Sequence, residues 1–240
     1  MQKVILINLK KHKMKYNVII ILLILLTAFE SNAQGTVDLY TPNGSLVRAE
    51  LYPEYSAADI AKYTADCAAR YPEAEVIGNA SQAYNCHSHA WNMVEGGPIC
   101  WLNSYAYFHK YWEDGSYTET TEANADKIVY YMGDHSAVKS KTHPGMYESK
   151  WSSLPLMRHA PGYGPSYFNM SYRIYYKKGN CTTLDFTDLT VNSYTSVKCN
   201  NIKAEKIVVK NNTKLVMEAV NETVINGPFE IQSGSELEIK

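Results

Sequence analysis

The chain has 240 residues, 45% hydrophobic, 12% aromatic and 20% charged, enough apolar content to bury a sizeable core and to exclude disorder as its main state. Its 23 Lys and Arg are balanced by 24 Asp and Glu, so no basic surplus exists to neutralise a phosphate backbone, and nucleic acid is not an expected partner. Twenty tyrosines against five phenylalanines supply apolar area with a polar tip, which favours a β-containing protein with wet aromatic surfaces.

Residues 18–29, VIIILLILLTAF, form an apolar run behind Lys10, Lys11, Lys13 and Lys15 and ahead of Ser31-Asn32-Ala33. This is the pattern of a secretory signal peptide over residues 1–33, cleaved after Ala33; a run this short does not reach the roughly 20 residues that span a bilayer. Its removal takes five lysines and one glutamate, leaving 18 cations against 23 anions, a charge of −5. The exported chain is expected in the periplasm, at the cell surface or outside the cell. There its five cysteines, Cys67, Cys86, Cys100, Cys181 and Cys199, meet an oxidising environment. An odd number leaves one unpaired. Cys181 with Cys199 is the easiest pair, Cys67 with Cys100 a looser one, and Cys86 is left free.

Residues 36–52 alternate apolar and polar positions around Pro42-Asn43-Gly44, which predicts a hairpin of strands TVDLY and LVRAELY. Ser56 and Asp59 make an approximate capping box, and Ile60, Tyr63, Cys67 and Ala68 recur at helical intervals, predicting a helix over 56–70. A second helix is expected over 86–94, with Asn85 as N-cap and Gly96-Gly97-Pro98 as its stop. Residues 127–131, 136–139 and 146–151 read as strands. The run Trp151 to Pro165, with three prolines and two glycines, reads as a loop carrying Arg158 and His159 at the rim of a cleft, placed to meet a carboxylate. From 181 onward the texture changes: Ile207, Val209, Asn212, Leu215 and Met217 match Phe229, Ile231, Gly234, Leu237 and Ile239 at a constant offset of 22 residues. This is an internal repeat of short strands around turns, and it divides the expected organisation into a body over 34–180 and an all-β module over 181–240.

The chemistry-bearing residues are in the body. An N-terminal helix position favours a thiolate at Cys86, through the dipole and the free N–H groups. His135 opens a strand 49 residues later and supplies a general base. Period-2 counting puts Tyr147, Ser149 and Trp151 on one face of the next strand, with Ser149 as the polar residue to orient the base; Glu148 is a poorer second. The oxyanion would meet the Cys86 N–H and a second donor from Asn85 or Gln82. His87 and His89 point about 200° apart on a helix and cannot share an ion, so no metal or other cofactor is expected; His87, Trp91 and His159 are expected to line the cleft.

A helix-borne Cys, a strand-borne His and a polar residue on the next strand, carried by Tyr84-Asn85-Cys86-His87-Ser88-His89-Ala90-Trp91, Ala125-Asp126-Lys127-Ile128-Val129-Tyr130-Tyr131 and Asp134-His135-Ser136-Ala137-Val138, resemble papain-fold cysteine hydrolases of the NlpC and CHAP type. The resemblance covers roughly residues 55–180. It implies an α+β fold with a papain-like core, a nucleophilic Cys86, a base His135 and an acyl-enzyme, acting on peptide or peptidoglycan stem-peptide amides. This chain departs from the pattern at His87 and His89, where small or apolar residues are usual, and at Ala125 in place of Gly. The repeat module resembles C-terminal tails of secreted Gram-negative surface proteins, which implies attachment at the cell surface. The rival expectation is a non-catalytic adhesin or binding protein on a hydrolase-like fold.

Overall fold

The computed structural model describes residues 35–102, 108–130 and 134–240; the signal-peptide expectation for residues 1–33 lies outside them. Among the described residues no helix is long and apolar enough to cross a membrane.

Helices and several sheets are mixed, as the α+β expectation requires. The hairpin pairs β1 (Gly35–Tyr40) with β2 (Leu46–Leu51). Helix α1 (Ala57–Arg70) starts at Ser56, whose hydroxyl accepts the Asp59 N–H and so satisfies one of the orphan donors of the first turn. The predicted box is not reciprocal: the Ser56 hydroxyl donates to the Asp59 carboxylate at 2.7 Å. Helix α2 (Cys86–Trp91) is shorter than predicted and gives way to a 3-10 turn, Met93–Glu95, before left-handed Gly96.

The main sheet has seven strands, every neighbouring pair antiparallel. In chain order they are β3 (Glu75–Gly78), β4 (Tyr117–Thr120), β5 (Lys127–Tyr130), β6 (Ser136–Lys139), β7 (Tyr147–Lys150), β8 (Leu156–His159) and β9 (Arg173–Lys178), and across the sheet the order is β3-β8-β7-β6-β5-β9-β4. The expectation of a loop throughout 151–165 is corrected: Leu156–His159 form β8, paired with β7 on one side and β3 on the other. Pro155 and Pro161 bracket this strand, where their missing N–H groups cost no ladder bond.

Alternation along the strands assigns two different cores to the two faces. Val129, Val138 and Tyr176 pack with Ala90 and Trp91 of α2 and with Leu39, Val47 and Ala49 of the hairpin. Ile128, Tyr130, Ala137 and Tyr147 pack on the other side with Met170 and Phe168, from the segment between β8 and β9. Cys67 of α1 is buried with Trp151 and Met157, whereas Cys100 belongs to the α2-side core. These separate locations correct the Cys67–Cys100 pairing: both are free, as is Cys86. Cys181 and Cys199 are bonded as expected.

The repeat module is a parallel sheet, β10 (Thr183–Val191), β11 (Thr195–Val209), β12 (Lys214–Ile231) and β13 (Glu236–Ile239). The 22-residue offset is its strand register: Ile207 faces Phe229, Val209 faces Ile231, Leu215 faces Leu237 and Met217 faces Ile239. The turns stack as well, since a Cβ on Gly234 would lie 2.0 Å from Asn212 Oδ1 and Gly234 has φ +83°, a conformation that glycine adopts without strain. The hairpin joins this module to the main sheet: Tyr40 packs edge-on against Phe186 at 5.9 Å and its hydroxyl donates to Thr190 O.

Candidate active site

Helix α2 is held by its cap. Asn85 Oδ1 accepts the N–H of Ser88 at 3.0 Å and of Leu102 at 3.3 Å, and Asn85 Nδ2 donates to Leu102 O at 2.8 Å. The carboxamide is thereby committed to the cap and to the Leu102 backbone, which sets where Cys86 begins the helix. The backbone N–H groups of Ser136, His87 and Cys86 act on the Cys86 thiol. All three favour a thiolate, and so does the nearby Lys150 charge, yet burial outweighs them and pushes the thiol up to about 12.

The Ser136 N–H belongs to the peptide unit that joins it to His135, so the sulfur sits at the end of β6 where the imidazole is attached. Tyr130 N–H donates to His135 O at 2.9 Å, which extends the β5–β6 ladder and gives His135 the side of the sheet that carries Tyr130. There its ring lies 5.1 Å from the Tyr130 ring and stacks on Phe168 at 3.8 Å, with 19° between the planes. His135 is fully buried, and neither ring nitrogen has a hydrogen-bond partner among the described residues. Burial, then the neighbouring rings of His87 and His159, hold it well below the usual imidazole range. At neutral pH the site therefore holds a thiol and a neutral imidazole.

Two Trp-Ser-His relays flank this imidazole. Trp91 Nε1–H donates to Ser136 Oγ at 3.0 Å, and Ser136 Oγ lies 2.8 Å from His87 Nδ1. An indole N–H can only donate, so the serine accepts from the tryptophan; its hydroxyl has a second lone pair and a proton, and the bond to His87 Nδ1 can run in either direction. Trp151, Ser149 and His159 repeat the arrangement, with Trp151 Nε1–H to Ser149 Oγ at 3.0 Å and Ser149 Oγ to His159 Nε2 at 2.8 Å. His159 Nδ1–H donates to Ala160 O at 2.9 Å. This fixes neutral His159 as an acceptor at Nε2, and burial lowers both outer histidines, His87 to about 3.

Lys150 has no exposed area. Its Nζ donates to Ser81 O at 2.8 Å, to Ser152 O at 2.9 Å and to Leu154 O, and lies 4.8 Å from the Tyr84 ring centre. Burial pulls the amine down to about 7, but three carbonyl acceptors are matched only by the three protons of an ammonium. The charge fastens the segment leading into α2 to the turn after β7. Glu54 fastens the same segment from outside, accepting the Gln82 backbone N–H at 3.1 Å.

The sequence-selected residues are distributed as follows. The Ser136 N–H, next to His135, acts on the Cys86 thiol, but the expected hydrogen bond between that thiol and the His135 ring is not formed. Ser149 is hydrogen-bonded to His159, and no bond from it to His135 is formed. Asn85 caps α2. Gln82 takes part through its backbone N–H. Trp91 is a core side chain with no exposed area, and His87 and His159 are buried with it, so none of the three presents a surface to solvent. Arg158 is paired with Glu75 and Glu148. Ser136, Lys150 and Phe168 were not selected. Lys150 carried no distinct signal, since its strand reads Tyr-Glu-Ser-Lys and a polar residue there is unremarkable. Phe168 had none, because it reaches His135 through a turn 33 residues away. Among the described residues no group of His, Cys, Asp and Glu is arranged to hold a metal ion. Comparison of the chain with protein-family models, with curated proteins and with solved structures finds no match.

Proposed function

We propose that the protein is an exported cysteine hydrolase with a papain-like body, cleaving an amide bond in peptidoglycan stem peptides or in polypeptide, and that its repeat module serves attachment at the cell surface. The observation that carries this reading is the placement of buried Cys86 at the start of a helix capped by Asn85, with the Ser136 backbone N–H, next to His135, favouring its thiolate. A buried imidazole with both nitrogens unpaired adds to it: such a group costs stability, and catalysis supplies a reason to retain it.

In the reaction, His135 takes the Cys86 proton as the sulfur attacks the substrate carbonyl carbon. The amide C–N bond breaks, the leaving amine departs with that proton, and water hydrolyses the resulting thioester, regenerating the thiol. The Cys86 and His87 N–H groups are placed to stabilise negative charge on the carbonyl oxygen. Among the described residues no carboxylate orients His135, so the imidazolium is uncompensated and a modest rate is expected.

Replacing Cys86 with Ala and assaying amide cleavage on cell-wall fragments and on casein tests the reading; activity that survives the change removes Cys86 from the mechanism. A second reading, a binding protein on the same scaffold, is favoured by the thiol's protonated state and the unoriented imidazole. It predicts retention of cell-wall fragments by both wild type and Cys86→Ala, with no hydrolysis by either.

A further inference from the structure

We infer that Phe168 is an intramolecular plug: the turn that carries it closes over His135 and has to swing away before the thiol and imidazole can meet a substrate. This regulation rests on the hydrolase reading of the site, but the plug itself is a matter of geometry. The Phe168 ring covers the imidazole face at 3.8 Å, which closes that face to any other group. His135 has no exposed area and Cys86 is 4% exposed, so in this state neither can be reached.

The segment is built to move at its tip and to stay fixed at its ends. At one end Met170 is buried against Ile128, Tyr130 and Ala137. At the other, the Tyr163 hydroxyl accepts the Glu73 N–H and its ring packs edge-on against Tyr71. Between them, Phe168 N–H closes a turn onto Pro165 O at 3.1 Å, and Tyr167 beside it is 61% exposed. Among the described residues the tip is latched by a bond of tertiary origin, Asn169 N–H to Asp134 Oδ2 at 3.1 Å, on the residue next to His135. Exposed, this bond is weak and can be exchanged for water. When the tip lifts, the imidazole is uncovered and water gains a route to the same end of β6, where the Ser136 and His87 N–H groups still favour a thiolate at Cys86. Opening thus removes what keeps the sulfur protonated and leaves what favours its ionisation.

The test measures the rate at which iodoacetamide labels Cys86 in the full-length protein, read by peptide mapping, with Cys100 in the opposite core as an internal record of global opening. Phe168→Ala should label at Cys86 at least about tenfold faster than wild type, and Asp134→Ala, which removes the latch without removing apolar area, should fall between them, with Cys100 labelling unchanged in both. Equal Cys86 rates in wild type and Asp134→Ala, with Phe168→Ala either equal or accelerated only in step with Cys100, overturn the plug. Amide cleavage is measured on the same samples. Faster labelling without hydrolysis in any of them sustains the plug and removes the hydrolase reading; hydrolysis with unchanged labelling does the reverse.

Discussion

Acid should unfold this protein through its buried histidines, and the size of the effect can be worked out. His87, His89 and His135 are neutral in the folded chain, lowered by burial to about 3, about 4 and well below the ordinary value. In the unfolded chain each titrates at about 6.5. A histidine whose folded pKa is depressed leaves the unfolded state binding more protons, so its stabilising contribution is complete above about pH 6.5 and is lost as pH falls. At about pH 5 the loss is about 2 kcal/mol for each such residue, or about 6 kcal/mol for the three. His159, lowered in the same direction, adds to it. That is comparable with the whole stability of an ordinary domain, about 5–15 kcal/mol. Few carboxylates protonate above about pH 5, so the imidazoles dominate this window.

Urea denaturation between about pH 8 and about pH 5 should show the midpoint falling by roughly 2–3 M, for a slope of about 2–3 kcal/mol per M. His135→Phe isolates one contribution. Because neither nitrogen of His135 is hydrogen-bonded, the replacement sacrifices no polar partner and should cost little at pH 8, then gain about 2 kcal/mol on wild type at pH 5. A midpoint independent of pH over this range, or a His135→Phe profile parallel to that of wild type, would refute the assignment of buried neutral imidazoles.

Other outcomes follow from the relays and the covalent link. Ser136→Ala strips the partner from both Trp91 Nε1–H and His87 Nδ1 and should destabilise by about 2–4 kcal/mol at neutral pH, seen as a lowered thermal midpoint. Replacing both Cys181 and Cys199 with Ser opens a link between residues 18 apart and should cost about 3 kcal/mol by the loop-entropy relation; the check is a lower denaturant midpoint in the variant than in oxidised wild type.

The elements legible in the chain are those set by neighbouring residues. The hairpin follows from alternation around Pro42-Asn43-Gly44, α1 from Ser56 and the helical spacing behind it, and β5 from its Ile-Val-Tyr run. The parallel register of β11, β12 and β13 follows from the 22-residue offset, because stacked coils bury equivalent side chains on one another. Cys181 and Cys199 lie close enough in sequence for the same reasoning to reach them. Period-2 counting also put Ser149 and Trp151 on one face of β7, where Trp151 donates to Ser149.

Partners remote in sequence were decided by the tertiary structure alone. β8 is four residues between two prolines and acquires strand character from β7 and β3 on its two sides; without them Leu156–His159 has nothing to pair with, and its punctuation reads as a loop. Once β8 is in place, His159 rather than His135 receives the Ser149 hydroxyl proton. Cys67 and Cys100 look equivalent as residues, yet the sheet separates them into different cores. Local chemistry specifies which backbone shape a segment prefers, whereas the occupant of the space over an imidazole is decided by the chain's long-range closure, which brought Phe168 there.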